Sequence, residues 1–109
     1  MAGERIIAVT TETVPGHRIV EVLGLVRGNT IRARHMGHDI MAGLKNIVGG
    51  ELVGYTELLQ DSRTEATERM IQQAQSMGAN AVVNVRFATS SIAQGAAELF
   101  AYGTAVKVE

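Results

Sequence analysis

Apolar and polar positions over residues 51–77 follow a helical step. Leu52, Tyr55, Leu59, Ala66, Met70, Ala74 and Met77 recur at intervals of three, four or seven. Glu57, Asp61, Arg63, Glu65, Glu68, Arg69, Gln72, Gln73 and Gln75 fill the other faces, which gives one buried stripe on a solvated rod. Glu65 and Arg69 stand one turn apart with opposite charge. Gly49 and Gly50 precede the segment and Gly78 follows it, where a chain enters and leaves a helix. Ser62 and Glu65 have the spacing of a capping box and admit a break near Asp61, but the unbroken stripe predicts one continuous helix. At 1.5 Å per residue it would be about 40 Å long, more than a domain of this size needs for itself.

The remaining segments read as strands and one short helix. Residues 5–11 are β-branched and apolar, a short strand that ends before the turn dipeptide Pro15-Gly16. Residues 17–27 form a second strand, with Ile19, Leu23 and Leu25 on one side and Val20, Val22 and Val26 on the other. Gly28-Asn29 reads as a turn, residues 30–38 as a polar, basic connector, and residues 39–48 as a short helix capped by Asp39 and stopped by Gly49-Gly50. Residues 81–87 alternate as a strand, with Val83, Val85 and Phe87 facing one way. Residues 96–108 form the last strand, with Phe100, Tyr102, Thr104, Val106 and Val108 opposite a small-residue side of Ala97, Leu99, Ala101, Gly103 and Ala105. A hairpin over 81–108 follows from adjacency. The expected architecture is α+β, β-β-α-α-β-β, with a mainly antiparallel four-stranded sheet, one short helix and one long one.

The second strand is apolar on both sides, which predicts cover on both. One long helix covers one face, so the second face is expected to meet a neighbouring copy. The chain is thus expected to be a homo-oligomer.

Composition narrows the function classes. The 109 residues suit a single domain, 1–109, with one core. Lysine plus arginine is 10 against 11 acidic residues, so no bulk charge draws the chain to nucleic acid or an anionic membrane. Cysteine is absent, which removes disulfides, thiolate nucleophiles and zinc sites that need sulfur. A cytoplasmic location is expected, since the N-terminal residues show no signal-peptide pattern and no apolar run is long enough to span a bilayer.

His35 and His38, with Asp39 adjacent, form the cluster that most resembles a metal site. Two imidazoles three residues apart on a helical turn point the same way, and a carboxylate adds a third ligand. A divalent metal would suit them; the competing reading is a polar connector with Asp39 as helix cap. His17, at a strand start, reads as a surface residue. Asn84, Arg86 and Glu98 lie within strands among apolar neighbours, and buried charges need partners, so these three are candidates for a polar contact inside the sheet or at a subunit boundary. Arg32, Arg34 and Lys45 add a modest basic patch. The hydroxyls lie in no nucleophile elbow and the glycines in no phosphate-binding motif, so no catalytic constellation can be assembled and no enzyme is expected.

Residues 39–51 (DIMAGLKNIVGGE), 78–87 (GANAVVNVRF) and 102–106 (YGTAV) resemble the YbjQ-like family of small bacterial proteins labelled heavy-metal-binding. The likeness spans nearly the whole chain. It implies a single domain of the kind derived above and a ring-shaped homopentamer, and no known activity. The chain departs from the family pattern at Ala88 and Ser91, where acidic residues are common, so two oxygen ligands are missing from that hairpin.

Overall fold

The computed structural model describes residues 5–32, 55–93 and 96–109. The order is β1 (Ile7–Ala8), β2 (Ile19–Arg32), α1 (Tyr55–Ser76), β3 (Ala81–Ala93) and β4 (Ala96–Val108). The four strands make one sheet in the order β1-β3-β4-β2. It is mixed: β3 and β2 run antiparallel to β4, while β1 lies parallel to β3. The predicted short helix over 39–48 falls outside the described residues.

α1 is continuous through Asp61 and Ser62, as its stripe predicts. Ser62, Ala66, Met70 and Ala74, one turn apart, are buried to within 2%. At its end Gly78 takes the left-handed conformation (φ 86°), Ala79 N–H donates to the Ala74 carbonyl and Gly78 N–H to that of Gln75. Those two bonds close the last turn in the way a left-handed glycine allows.

α1 lies over β2 and β4 and barely reaches β3. The small side of β4 is what admits it: Leu99, Ala101, Gly103 and Ala105 are all buried. Val26 and Thr30 of β2 and Val82 and Val85 of β3 complete this layer with Met70. Among the described residues the opposite face is filled at one end. There Val14, Ala81, Val83, Val106 and Val108 form a second cluster, with Ile7, Val9 and Ile19 beside it.

Four expectations need correction. Gly28-Asn29 is no turn, and residues 30–32 are no connector: β2 runs on to Arg32, paired with β4 throughout. Gly28 is required for packing, since a Cβ there would lie 2.1 Å from the Ala66 carbonyl oxygen and 2.3 Å from the Met70 nitrogen. The alternation along β2 also breaks, with register shifts at Ile19/Glu21 and Val22/Gly24 and Gly24 at φ 135°. Leu25 therefore lies on the face away from the helix while Leu23 packs toward it. Along β3 the shift between Val83 and Arg86 makes Asn84 an extra residue at φ 56°. Hence Val82 and Val85 share the helix face, and Val83 belongs to the other. A bulge moves every later side chain across by one residue.

Candidate functional site

The half of the sheet that neither α1 nor Val14 covers carries the candidate chemistry. Cross-strand register places Leu25, Arg27, Asn29 and Ile31 of β2 opposite Thr104, Tyr102, Phe100 and Glu98 of β4. β3 adds Arg86 beside Tyr102 and Ser90 beside Glu98. Arg27, Asn29, Glu98 and Phe100 line a pocket of about 150 Å³. Its floor is fixed by one hydrogen bond, from Asn29 Nδ2 to Glu98 Oε2 at 2.8 Å. The Phe100 and Tyr102 rings stand 5.9 Å apart, a tilted pair along the same strand. Cationic, anionic and aromatic groups converge here.

The helix secures the backbone behind this pocket. β2 is an edge strand, and the N–H of Arg27 and C=O of Asn29 point out of the sheet. Arg27 N–H donates to Gln73 Oε1 at 2.8 Å, and Arg69 Nη1 donates to the Asn29 carbonyl at 2.6 Å. Arg69 also pairs with Glu65, as its spacing predicts. Thr30, the next residue, turns inward, its hydroxyl 3.4 Å from the carbonyls of Ser62 and Leu99.

The three residues singled out as a polar contact do not form one cluster. Glu98 meets Asn29, whereas Arg86 Nη1 donates to the carbonyls of Thr10 and Val85, both at 2.8 Å. Arg86 pairs with Tyr102, four residues along β4 from Glu98, a separation of about 13 Å. Asn84 acts through its backbone: its N–H donates to Thr11 C=O at 3.0 Å, and the next N–H, of Val85, to Val9 C=O at 3.0 Å. Asn84 and Arg86 thus tie residues 9–11 to the sheet. The residues missed were Arg27 and Asn29, concealed by the reading of Gly28-Asn29 as a turn.

His35, His38 and Asp39 lie outside the described residues. Among the described residues no three His, Asp or Glu side chains are grouped to hold a metal ion. No helix among them is long and apolar enough to cross a membrane.

Comparison with known proteins places this geometry. The YbjQ family, described as "Putative heavy-metal-binding", matches residues 6–109. A UPF0145 protein of Hahella chejuensis is 72% identical over 98 residues, covering 90% of this chain and 94% of the relative. One from Archaeoglobus fulgidus is 62% identical over 105 residues, covering 96% and 97%, so the relatives include archaeal as well as bacterial proteins. One from Thermus thermophilus is 53% identical over all 109 residues, covering 96% of its own length. A crystal structure of a protein of unknown function from Pediococcus pentosaceus, of the DUF74 family, is similar at a TM-score of 0.63 and 12% identity over 95% of this chain and 98% of that one. At that identity the likeness is one of fold.

Proposed function

We propose that this chain, which belongs to the YbjQ family over residues 6–109, works as a self-assembling, non-catalytic binding or scaffold protein whose ligand site lies between copies. The observation that carries this reading is the exposed apolar side of β2, which runs past the Arg27–Glu98 pocket. Val22, Leu25 and Ile31 of β2 are 66%, 70% and 53% exposed in the single chain, on the face that α1 does not cover. Large apolar side chains exposed on one strand favour burial against another surface, and each fully buried one contributes about 1.5–3 kcal/mol. A net charge of −1 opposes the approach of a second copy very little. A sister copy laid there would close the pocket from its open side, and the ring implied by the family likeness is a pentamer. The chain is expected to be cytoplasmic and to need neither nucleic acid nor membrane. Sedimentation velocity at micromolar concentration tests the assembly: an oligomer is expected, and Leu25→Ser with Ile31→Ser should shift it toward smaller species. A stable wild-type monomer would sink the reading.

The family description favours a second reading, a heavy-metal or divalent-metal binder using His35, His38 and Asp39. Isothermal titration with zinc, copper and nickel should give affinity that His35→Ala, His38→Ala removes. Affinity unchanged in that double variant would eliminate these ligands.

A further inference from the structure

Two opposite charges line one small pocket without joining. Arg27 and Glu98 both wall the cavity of about 150 Å³. Among the described residues they form no ion pair with each other, and Glu98 Oε2 instead accepts from Asn29 Nδ2 at 2.8 Å. The register explains the separation. Arg27 stands opposite Tyr102 and Ile31 opposite Glu98, so the two charges start from backbone positions four residues, about 13 Å, apart along β4. Phe100 lies between them on β4 and lines the same cavity, with the Tyr102 ring 5.9 Å from its own. The backbone under both β2 residues is fixed: Gln73 Oε1 accepts from Arg27 N–H, and Arg69 Nη1 donates to Asn29 C=O. A site whose liners are held before anything binds loses little affinity to ordering them.

We infer that this pocket binds a small ω-amino carboxylate, an unbranched zwitterion whose carboxylate pairs with the Arg27 guanidinium and whose ammonium donates to Glu98. The assignment rests on the Arg27–Glu98 pocket being the ligand site of the binding reading above, and ligand uptake is measured apart from the number of copies. A guanidinium presents a planar fork of donors that matches a carboxylate bidentately. Asn29 takes Oε2 of Glu98, and a carboxylate has a second oxygen able to accept from an ammonium. Phe100 offers an apolar wall to the methylene chain between the two charges. Size narrows the class: the cavity is well below the range of about 300–1,000 Å³ that drug-sized ligands need, so it suits a chain of a few carbons and no nucleotide. Charges set apart along the cavity suit a ligand with charges at its two ends, whereas an α-amino acid carries both on one carbon.

Isothermal titration at millimolar ligand tests this, with γ-aminobutyrate as the probe and butyrate, butylamine and L-alanine as controls. γ-Aminobutyrate is expected to saturate the protein, and each control to bind at least about ten-fold more weakly. No saturable binding of γ-aminobutyrate, or equal affinity for any control, overturns the inference. Glu98→Gln should bring γ-aminobutyrate down to the affinity of butyrate, and Arg27→Met down to that of butylamine. A general loss of packing would not make that exchange, and unchanged affinity in either variant overturns the assignment. Should a variant fail to fold, the wild type decides by nuclear magnetic resonance: the Asn29 side-chain amide should shift on saturation with γ-aminobutyrate, and an unmoved Asn29 amide overturns the inference. Sedimentation of the same sample separates the two readings, since a wild type that assembles and takes up no γ-aminobutyrate loses this ligand class and keeps the scaffold.

Discussion

The two faces of the sheet differ in the size and charge of their side chains, and they behave differently. Under α1, Val26, Gly28 and Thr30 of β2 meet Gly103, Ala101 and Leu99 of β4, all buried. One residue along, on the other face, Leu25, Arg27, Asn29 and Ile31 are exposed. The contrast is one of side-chain size as well as polarity. Glycine and alanine let a helix backbone come down onto the sheet, whereas leucine, isoleucine, phenylalanine and tyrosine hold any helix at a distance and offer a broad surface instead. A strand can therefore be stabilising on one side and available on the other.

Substitutions that exchange these properties should show it, in descending order of effect. Gly28→Ala would force a methyl group into the backbone of α1 at Ala66 and Met70, and no side-chain rotation relieves that contact. The helix must lift, and a loss above about 5 kcal/mol is expected, read as absence of a cooperative thermal transition. Met70→Ala, which empties the centre of the same layer where Met70 is fully buried, should cost about 2–5 kcal/mol by urea denaturation. If Gly28→Ala is instead milder than Met70→Ala, close approach is not what organises the helix face. Leu25→Ser and Ile31→Ser, on the open side, should each change the stability of the isolated chain by no more than about 0.5 kcal/mol while reducing the assembled mass. A loss as large as that of Met70→Ala would mean the open side is core after all.

The helix and the small side of β4 were legible because each repeats with its own period, and a period survives translation into structure. Ala66, Met70 and Ala74 lie on Leu99, Ala101 and Ala105 as those periods require. The faces of β2 and β3 were not, since Gly24 and Asn84 each sit where the register shifts, and nothing local marks a bulge. Gly28 misled for a related reason: a glycine needed for helix contact looks the same in sequence as a glycine needed for a turn. Of the site, Glu98 stood out as a charge in an apolar strand, but its partner Asn29 is 69 residues away. Arg86 stood out likewise, and its actual acceptor, Thr10, depends on the parallel placement of β1 that no short-range pattern encodes.

The stopper on β2 made by Gln73 and Arg69 has a consequence for solubility. Open-ended ribbons of stacked sheets grow only when every subunit offers two unobstructed margins, one to receive and one to extend. With the Arg27 N–H and the Asn29 C=O held by the molecule's own helix, that stretch of the margin offers neither group to an incoming strand.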